Sequence, residues 1–142
     1  SGSFVGSEFA YEDLGSQELE KYKDRKYLRK EACPNNNELE CHVISRVPTE
    51  KSSGYKYQVL WLDDTAAHKV WKIDYFDRKG SHLKTLFFDD YKIYLDKHWR
   101  PSVYKMINHQ TGKSTDLLVQ NIRFKVGLSS RDFNPKSLSR AR

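Results

Sequence analysis

The sequence predicts a mainly β (α+β) fold, a strongly bent antiparallel sheet with one short covering helix. From about Tyr22 onward, short apolar runs are interrupted every ten or so residues by turn-forming residues, which is typical of a meander of hairpins. Within several runs apolar and polar residues alternate, so one face of the sheet is apolar and must be covered. The aromatic residues, 3 Trp, 9 Tyr and 7 Phe, supply burial that offsets the entropy of ordering the chain.

The length of 142 residues predicts a single domain made of three consecutive segments. Residues 1–22 are an opening segment, whose stretch 11–22 is the only helix candidate of any length. Residues 23–126 form the antiparallel meander, and residues 127–142 form a tail that docks onto it. Short connections favour hairpins, because parallel strands need crossovers of a dozen residues or more. The predicted strands are 26–33, 41–47, 55–62, 69–76, 83–91, 99–108 and 115–125.

The third and fourth predicted strands show the alternation most clearly. A single sheet of about seven twisted strands curls around whatever covers its apolar face, whether a helix, a second sheet or a ligand. The side chains assigned by alternation to the apolar sides of these two strands are Tyr57, Val59, Trp61, Trp71, Ile73 and Tyr75.

The two cysteines, Cys33 and Cys41, are separated by a run that begins with Pro34 and three asparagines. These turn formers favour a reversal of the chain that brings the two Cβ atoms within bonding range. The sequence therefore predicts a disulfide, and with it an oxidising compartment such as a bacterial periplasm. Free core thiols and a zinc site are the alternatives, although two thiolates with only His42 beside them lack the paired spacing of zinc modules.

Composition and motifs exclude several classes of function. The five histidines are scattered, and neither a nucleophile elbow, a phosphate-binding loop nor a metal-binding helix motif occurs, so we expect no catalytic residues, no metal, no cofactor and no enzyme. The net charge of +6 attracts nucleic acid, anionic lipid or acidic proteins alike. Aromatics interleaved with Lys and Arg are also typical of surfaces that bind single strands. Acidic residues scattered through the same strands would repel phosphate, so nucleic acid is not the expected partner.

The most distinctive string is SGSFVGSEFAYEDL at residues 1–14. It resembles the S-G-S-F-x-G-S-x-F-x-Y-E-D-L signature of the outer-membrane lipoprotein-sorting protein family, relatives of the periplasmic lipoprotein carrier LolA. The string NHQTGK at residues 108–113 is similarly specific. Supporting strings extend the resemblance over nearly the whole chain, at residues 59–63, 75–77, 79–80, 83–86 and 133–138.

The resemblance implies an open half-barrel of the LolA type, whose concave apolar face is covered by helices and accepts acyl chains. Family members carry a signal peptide and further strands and a helix before the opening string. The chain is therefore expected to be the C-terminal portion of the fold, with the N-terminal part missing. The family is exported, which agrees with the disulfide predicted from the residues themselves.

The predicted function is that of a periplasmic, non-enzymatic carrier of lipid or lipoprotein acyl chains, in outer-membrane lipoprotein sorting or lipid transport. The expected partners are the acyl chains, with an inner-membrane exporter or an outer-membrane acceptor as the proteins that exchange them. The alternative is a cell-envelope interaction module, or a partner of a membrane exporter, with a core filled by its own side chains. The residues predicted to line the acyl site are Phe4, Phe9, Tyr57, Val59, Trp61, Trp71, Ile73 and Tyr75. If the protein is an interaction module, these side chains are ordinary core packing.

Overall fold

The computed structural model describes residues 21–93, 98–120 and 123–125, which form one antiparallel sheet. Each strand pairs with the next strand along the chain, and β1 and β8 are the two edges of this open sheet. The predicted meander is therefore confirmed. Within the described ranges, no helix has the length and apolar character needed to span a bilayer. The strands are β1 (Tyr22–Cys33), β2 (Asn36–Pro48), β3 (Tyr55–Asp63), β4 (Val70–Asp77), β5 (His82–Ile93), β6 (Trp99–Asn108), β7 (Ser114–Gln120) and β8 (Arg123–Lys125).

The last predicted strand, 115–125, is wrong as a single element. It is divided into β7 and β8, which pair antiparallel with Gln120 opposite Arg123. Only two residues lie between Gln120 and Arg123 in the sequence, too few for the cluster of turn formers that marks the other connections. The predicted helix and opening segment, up to residue 20, and the tail at 127–142 lie outside the described residues.

The disulfide between Cys33 and Cys41 is confirmed, with the two Cα atoms 4.9 Å apart. The turn between β1 and β2 consists of Pro34 and Asn35, and Cys33 lies opposite Asn36. The chain is locked at this tip because the bond joins two neighbouring strands next to the turn. Since neither cysteine is free, the zinc and free-thiol alternatives are removed.

Two of the other turns are held by side chains that accept hydrogen bonds from the local backbone. Asp77 accepts from the backbone N–H groups of Lys79 and Ser81, at 3.0 and 2.9 Å, in a turn that contains Gly80 at φ +88°. In the turn between β6 and β7, Asn108 accepts from the backbone N–H groups of residues 110 and 111, at 2.8 and 3.0 Å. Such Asx interactions explain why these short strings fold as tight turns.

The sheet is bent toward one of its faces. Asn35, at the tip of the β1–β2 hairpin, lines a cavity of about 290 Å³ together with Phe87, Lys105 and Asp116 of β5, β6 and β7. In a flat sheet β2 and β5 would lie three strand spacings apart, about 14 Å. The hairpin tip reaches β5 because the sheet curves, and we call the concave face toward which it curves the inner face and the opposite one the outer face.

Each face carries its own apolar cluster. The outer-face cluster spans strands β3 to β7 and contains Tyr55, Leu60, Ile73, Tyr75, Leu86, Phe88, Met106 and Leu117. The inner-face cluster lies over β1 to β4 and contains Cys33, Cys41, Val43, Val59, Trp61 and Trp71. All members of both clusters are buried. The sheet is therefore apolar on both sides, which differs from the single apolar face expected from alternation.

Candidate functional site

Two tryptophans, Trp61 of β3 and Trp71 of β4, form the centre of the inner-face cluster. Both are buried, and they pack with Val43, Val59 and the disulfide. This part of the inner face is filled by the protein's own side chains. The buried tryptophans therefore form a floor on the inner face rather than the wall of a hollow.

A β-bulge puts Trp71 on the inner face. Trp61 lies opposite Lys72, but Leu62 lies opposite Val70, so Trp71 is an extra residue in the ladder. The side chains before and after a bulge no longer follow the simple period of two. The expectation that Trp71 shares a face with Ile73 is therefore wrong, because the bulge turns Trp71 to the other side of the sheet.

The buried carboxylate of Asp63 holds Trp71 in place. It accepts hydrogen bonds from Trp71 Nε1 at 2.9 Å, from Thr65 Oγ1 at 2.6 Å and from the backbone N–H groups of Thr65 and Lys69 at 3.2 and 3.1 Å. Burial by itself raises the pKa of Asp63, but these hydrogen bonds outweigh it, and the pKa lies below its usual value. The ionised side chain therefore ties the β3–β4 connection to the tryptophan.

Trp61 has a polar partner nearer the surface. Its Nε1 donates to Glu31 Oε2 at 2.7 Å, and Glu31 also pairs with Arg29 at 2.8 Å. The hydrogen bond from Trp61, followed by that from Arg29, lowers the pKa of the Glu31 carboxyl. On the other side, the Nζ of Lys72 lies 4.2 Å from the Trp61 ring centroid, within cation–π range. Both indole N–H groups of the floor are thus satisfied.

The remainder of the inner face, over β5 to β7, is open. Its apolar side chains are Phe87, Val103, Ile107 and Leu118, and we call this set the open stretch. Ile107 is 36% exposed and Leu118 is 41% exposed, which is unusual for large apolar side chains on the concave side of a sheet. The cavity beneath Asn35 includes Phe87 and Ile107. Among the described residues of the inner face, this open stretch therefore contains large apolar side chains that are exposed.

One end of the inner face carries a polar cluster of Asp74, His82, Thr85 and His109. Thr85 Oγ1 lies 2.7 Å from Asp74 Oδ1 and 2.7 Å from His109 Nε2, and His82 Nε2 lies 3.2 Å from Asp74 Oδ1. Burial, and after it the neighbouring His82 ring at 4.3 Å between centroids, lowers the pKa of His109. In the part of the chain that the structure describes, no three side chains form a metal-binding group.

The structure separates the predicted lining into two sets. Tyr57, Val59, Trp61 and Trp71 belong to the inner-face cluster or pack against it, whereas Ile73 and Tyr75 belong to the outer-face cluster. Phe4 and Phe9 lie outside the described residues. The sequence did not predict the open stretch, although alternation with polar or outward-facing neighbours could have assigned Phe87 and Ile107 to the inner face. The register across the β5–β6 and β6–β7 hairpins is needed to show that these side chains are neighbours.

Comparison with known proteins finds one matching family model and several similar solved structures. A family model described as "Uncharacterized protein" matches residues 1–140. A putative outer membrane lipoprotein-sorting protein domain from Vibrio parahaemolyticus has 49% identity and a TM-score of 0.76, over 99% of this chain and 57% of that one. The chain belongs to the family that this model describes, and over almost its whole length it is similar to a lipoprotein-sorting protein domain.

Two further solved structures extend the LolA-like comparison. A DUF1329 family protein from Desulfovibrio piger ATCC 29098 has 26% identity and a TM-score of 0.74, over 96% of this chain and 55% of that one. A LolA superfamily protein from Nitrosomonas europaea has 18% identity and a TM-score of 0.56, over 72% of this chain and 46% of that one, and shares the fold. Among curated proteins none matches. This LolA-like chain spans about half the length of the solved relatives it matches.

Proposed function

We propose that this LolA-like domain is a non-enzymatic carrier that holds lipid or lipoprotein acyl chains against the open stretch of its inner face. The observation that carries the proposal is the exposure of Ile107 and Leu118 on the concave side of a bent sheet. Exposed apolar side chains on a concave surface are typical of a site for an apolar ligand. The structural likeness to a lipoprotein-sorting protein domain supports the same class of cargo.

The size of the open stretch fits one acyl chain. From Val103 to Ile107, the two members of the open stretch on β6, the strand extends by about 14 Å at roughly 3.4 Å per residue. One leaflet of a bilayer contributes about 15 Å of hydrocarbon, half of a core of about 30 Å. A chain of that length can lie along β5 and β6. Each buried methylene contributes about 0.8 kcal/mol, so binding needs neither a nucleophile nor a metal.

The cavity under the hairpin tip gives the site a partial cover. Asn35 lines the same cavity as Phe87 and Ile107, and the disulfide fixes the strands from which this turn projects. A cargo on the open stretch would therefore be enclosed on one side by the hairpin tip. The disulfide also fits a periplasmic location, because such bonds persist in oxidising compartments.

Acyl binding can be tested in solution with a sixteen-carbon lysophospholipid below its micelle concentration. Titration calorimetry on the wild-type chain should give saturable binding, and the substitution Ile107→Asp or Leu118→Asp should weaken it at least tenfold. Leu28→Asp is a matched control, because Leu28 is 45% exposed but lies on β1, away from the open stretch. Equal affinities for the inner-face variants and the control would refute the proposal.

A second candidate is an envelope protein-interaction module with a filled interior, in which the inner face binds a protein. The packed tryptophan floor favours it, since Trp61 and Trp71 leave no hollow over the central strands. Native mass spectrometry of the protein purified from its host separates the two candidates. Acyl species that co-purify support the carrier, whereas a clean mass with a bound protein subunit supports the module.

A further inference from the structure

The cavity at the tip of the β1–β2 hairpin contains charged as well as apolar side chains. Besides Phe87 and Ile107, it is lined by Asp89 of β5, Lys105 of β6 and Asp116 of β7. Hydrocarbon placed against these charges would remove water from them without supplying a hydrogen-bond partner. A ligand that fills the cavity must therefore present polar groups to it, next to the part that contacts the two apolar side chains.

Strand pairing places the three charges side by side. Lys105 lies directly opposite Asp116 in the β6–β7 ladder and opposite Phe87 in the β5–β6 ladder. Asp89 follows Phe87 by two residues, so it shares the same face and is a diagonal neighbour of Lys105. Opposite residues have Cβ atoms about 4.5–5.5 Å apart, and diagonal neighbours are about 7–8 Å apart. One small ligand group can therefore reach the cation and both carboxylates.

These charges are accessible to a ligand. Lys105 and Asp116 are exposed, and Asp89 is half-buried. The Oδ1 of Asp89 accepts a hydrogen bond from the backbone N–H of the next residue at 2.8 Å, which fixes the carboxylate. Within the described ranges the structure shows no ion pair between Lys105 and either carboxylate. The cavity therefore offers both an ammonium group and carboxylate oxygens to a ligand.

Other charges lie around the cavity on the same face. Lys72 of β4 lies opposite Phe87, and its Nζ lies 3.8 Å from the Oδ2 of Asp74. Lys125 of β8 lies opposite Leu118 and adds a cation on the other side. The argument for a site depends on the presence of both signs within one cavity, and not on the sum of the charges around it.

We propose that this cavity binds the zwitterionic phosphoethanolamine head group of a phospholipid cargo, with the phosphate on Lys105 and the ammonium group on Asp89 and Asp116. A short two-carbon link joins the amine to the phosphate, so the two charges of the head group are close together, as are those of neighbouring strands. Hydrogen bonds between ammonium and carboxylate are charge-assisted and therefore strong. The inference rests on the proposed function, and it adds the class of head group that the carrier selects.

The two carboxylates distinguish this head group from others. A phosphatidylglycerol head group carries the phosphate but no cation, so it leaves both carboxylates without a partner. The ammonium of a choline head group carries methyl groups in place of the N–H donors. Specificity of this kind arises because the unfavourable ligand leaves charged groups unpaired. The acyl chain of the bound lipid then contacts Phe87 and Ile107 and continues over Val103 and Leu118.

The test is titration calorimetry of the wild-type chain with three lysophospholipids that share one sixteen-carbon acyl chain and carry ethanolamine, choline or glycerol head groups. Each lipid is used below its micelle concentration. We expect the ethanolamine lipid to bind at least fivefold more tightly than the other two, because only its head group donates to the carboxylates. Equal affinities would overturn the head-group proposal and leave the acyl site in place, whereas failure of all three lipids to bind would overturn both.

The carboxylates are tested by Asp89→Asn with Asp116→Asn. This variant should lose the preference, with the ethanolamine lipid bound at least fivefold more weakly and the glycerol lipid bound as well as before or better. Asp116→Asn alone changes only an exposed side chain, so it should fold normally and lower the preference at least twofold. The matched control is Glu50→Gln, an exposed carboxylate in the β2–β3 connection, which should keep the preference. A preference that survives in both Asp variants would overturn the proposal.

The phosphate contact is tested by Lys105→Gln. Since all three lysophospholipids contain the phosphate, each should bind about threefold more weakly, as expected for one exposed ion pair. Monopalmitoylglycerol has the same acyl chain without a phosphate, and its affinity should not change. Lys113→Gln, an exposed lysine in the β6–β7 connection, is the matched control. An equal loss of affinity for monopalmitoylglycerol would overturn the assignment of the phosphate to Lys105.

Discussion

The contact between Asp63 and Trp71 should be among the most costly in the protein to break. The substitution Asp63→Asn replaces the carboxylate with an amide of the same shape. The amide oxygen still accepts hydrogen bonds, but the amide nitrogen is a donor. If the amide oxygen accepts the bonds from Thr65 and Lys69, the amide nitrogen faces Trp71 Nε1, and two donors meet. One buried indole N–H is then left without an acceptor.

The magnitude follows from the hydrogen bonds that the carboxylate accepts. Bonds to a charged group contribute about 1.5–3 kcal/mol each, and an unsatisfied buried donor costs about 1–3 kcal/mol. Since the amide retains the bonds to the β3–β4 connection in weaker form, we expect Asp63→Asn to lower the free energy of unfolding by about 3 kcal/mol. For a chain of this length that corresponds to a fall in melting temperature of roughly 10 °C.

The assay is urea denaturation followed by tryptophan fluorescence, with Trp71→Phe completing a double-mutant cycle. The cycle should give a coupling energy of about 1–2 kcal/mol between Asp63 and Trp71. Glu31→Gln with Trp61→Phe is the control cycle, because Glu31 is a half-exposed partner of the other indole, and its coupling should stay below about 0.5 kcal/mol. Equal coupling in the two cycles would refute the idea that burial of Asp63 sets its importance.

The same carboxylate also predicts a pH dependence. Because the pKa of Asp63 in the folded protein lies below its ordinary 3.8, its contribution is fully present above that pH and is lost as the pH falls through the lower folded value. Asp63→Asn should therefore flatten the decline in stability below about pH 4 relative to the wild-type chain. An unchanged acid limb would show that other carboxylates control acid unfolding.

Three further predictions follow from the disulfide, the outer face and the polar cluster. Replacing both Cys33 and Cys41 by Ala should lower the free energy of unfolding by about 2–3 kcal/mol in urea, and wild-type protein in reductant should match the variant. Ile73→Ala should cost about 2–5 kcal/mol, since Ile73 is fully buried, yet leave lysophospholipid affinity unchanged in calorimetry; weaker binding would argue that the outer face holds the ligand. The pKa of His109 is lowered from 6.5, so its neutral form stabilises the fold above that pH, and this contribution is lost as the pH falls. His109→Gln should therefore show a smaller fall in melting temperature between pH 7.5 and 5 than the wild-type chain. Equal falls in the two proteins would count against this role of His109.

Local signals in the sequence predicted much of the fold. The strand β6 was predicted with its observed bounds, Trp99–Asn108, because turn residues flank it on both sides. The disulfide followed from Pro34 and the asparagines between the two cysteines. Both results depend on residues that are close together along the chain, where turn chemistry is decisive.

The site was less predictable because it depends on register and curvature. Trp71 is a single extra residue in its ladder, and this bulge places its side chain on the face opposite to the one that alternation predicts. No residue type near Trp71 marks the bulge in the sequence. Ile107 and Leu118 share the open stretch because two ladders place them on one face, and Asn35 lines one cavity with Phe87 because the whole sheet bends. These relations are not properties of any short segment, so a reading by alternation could not reach them.

On the proposed function, the chemical difference between the two ends of β5 and β6 gives the inner face a direction. An acyl chain that lies along these strands meets the exposed Ile93 and Trp99 at one end and the hydrogen-bonded His82 and His109 at the other. Hydrocarbon placed against the end with His82 and His109 is not stabilised, because the polar groups there would lose their contact with water without gaining new hydrogen-bond partners. On this proposal the polar cluster marks where the apolar path ends, and we expect a cargo to enter and leave at the end of β5 and β6 that carries Ile93 and Trp99.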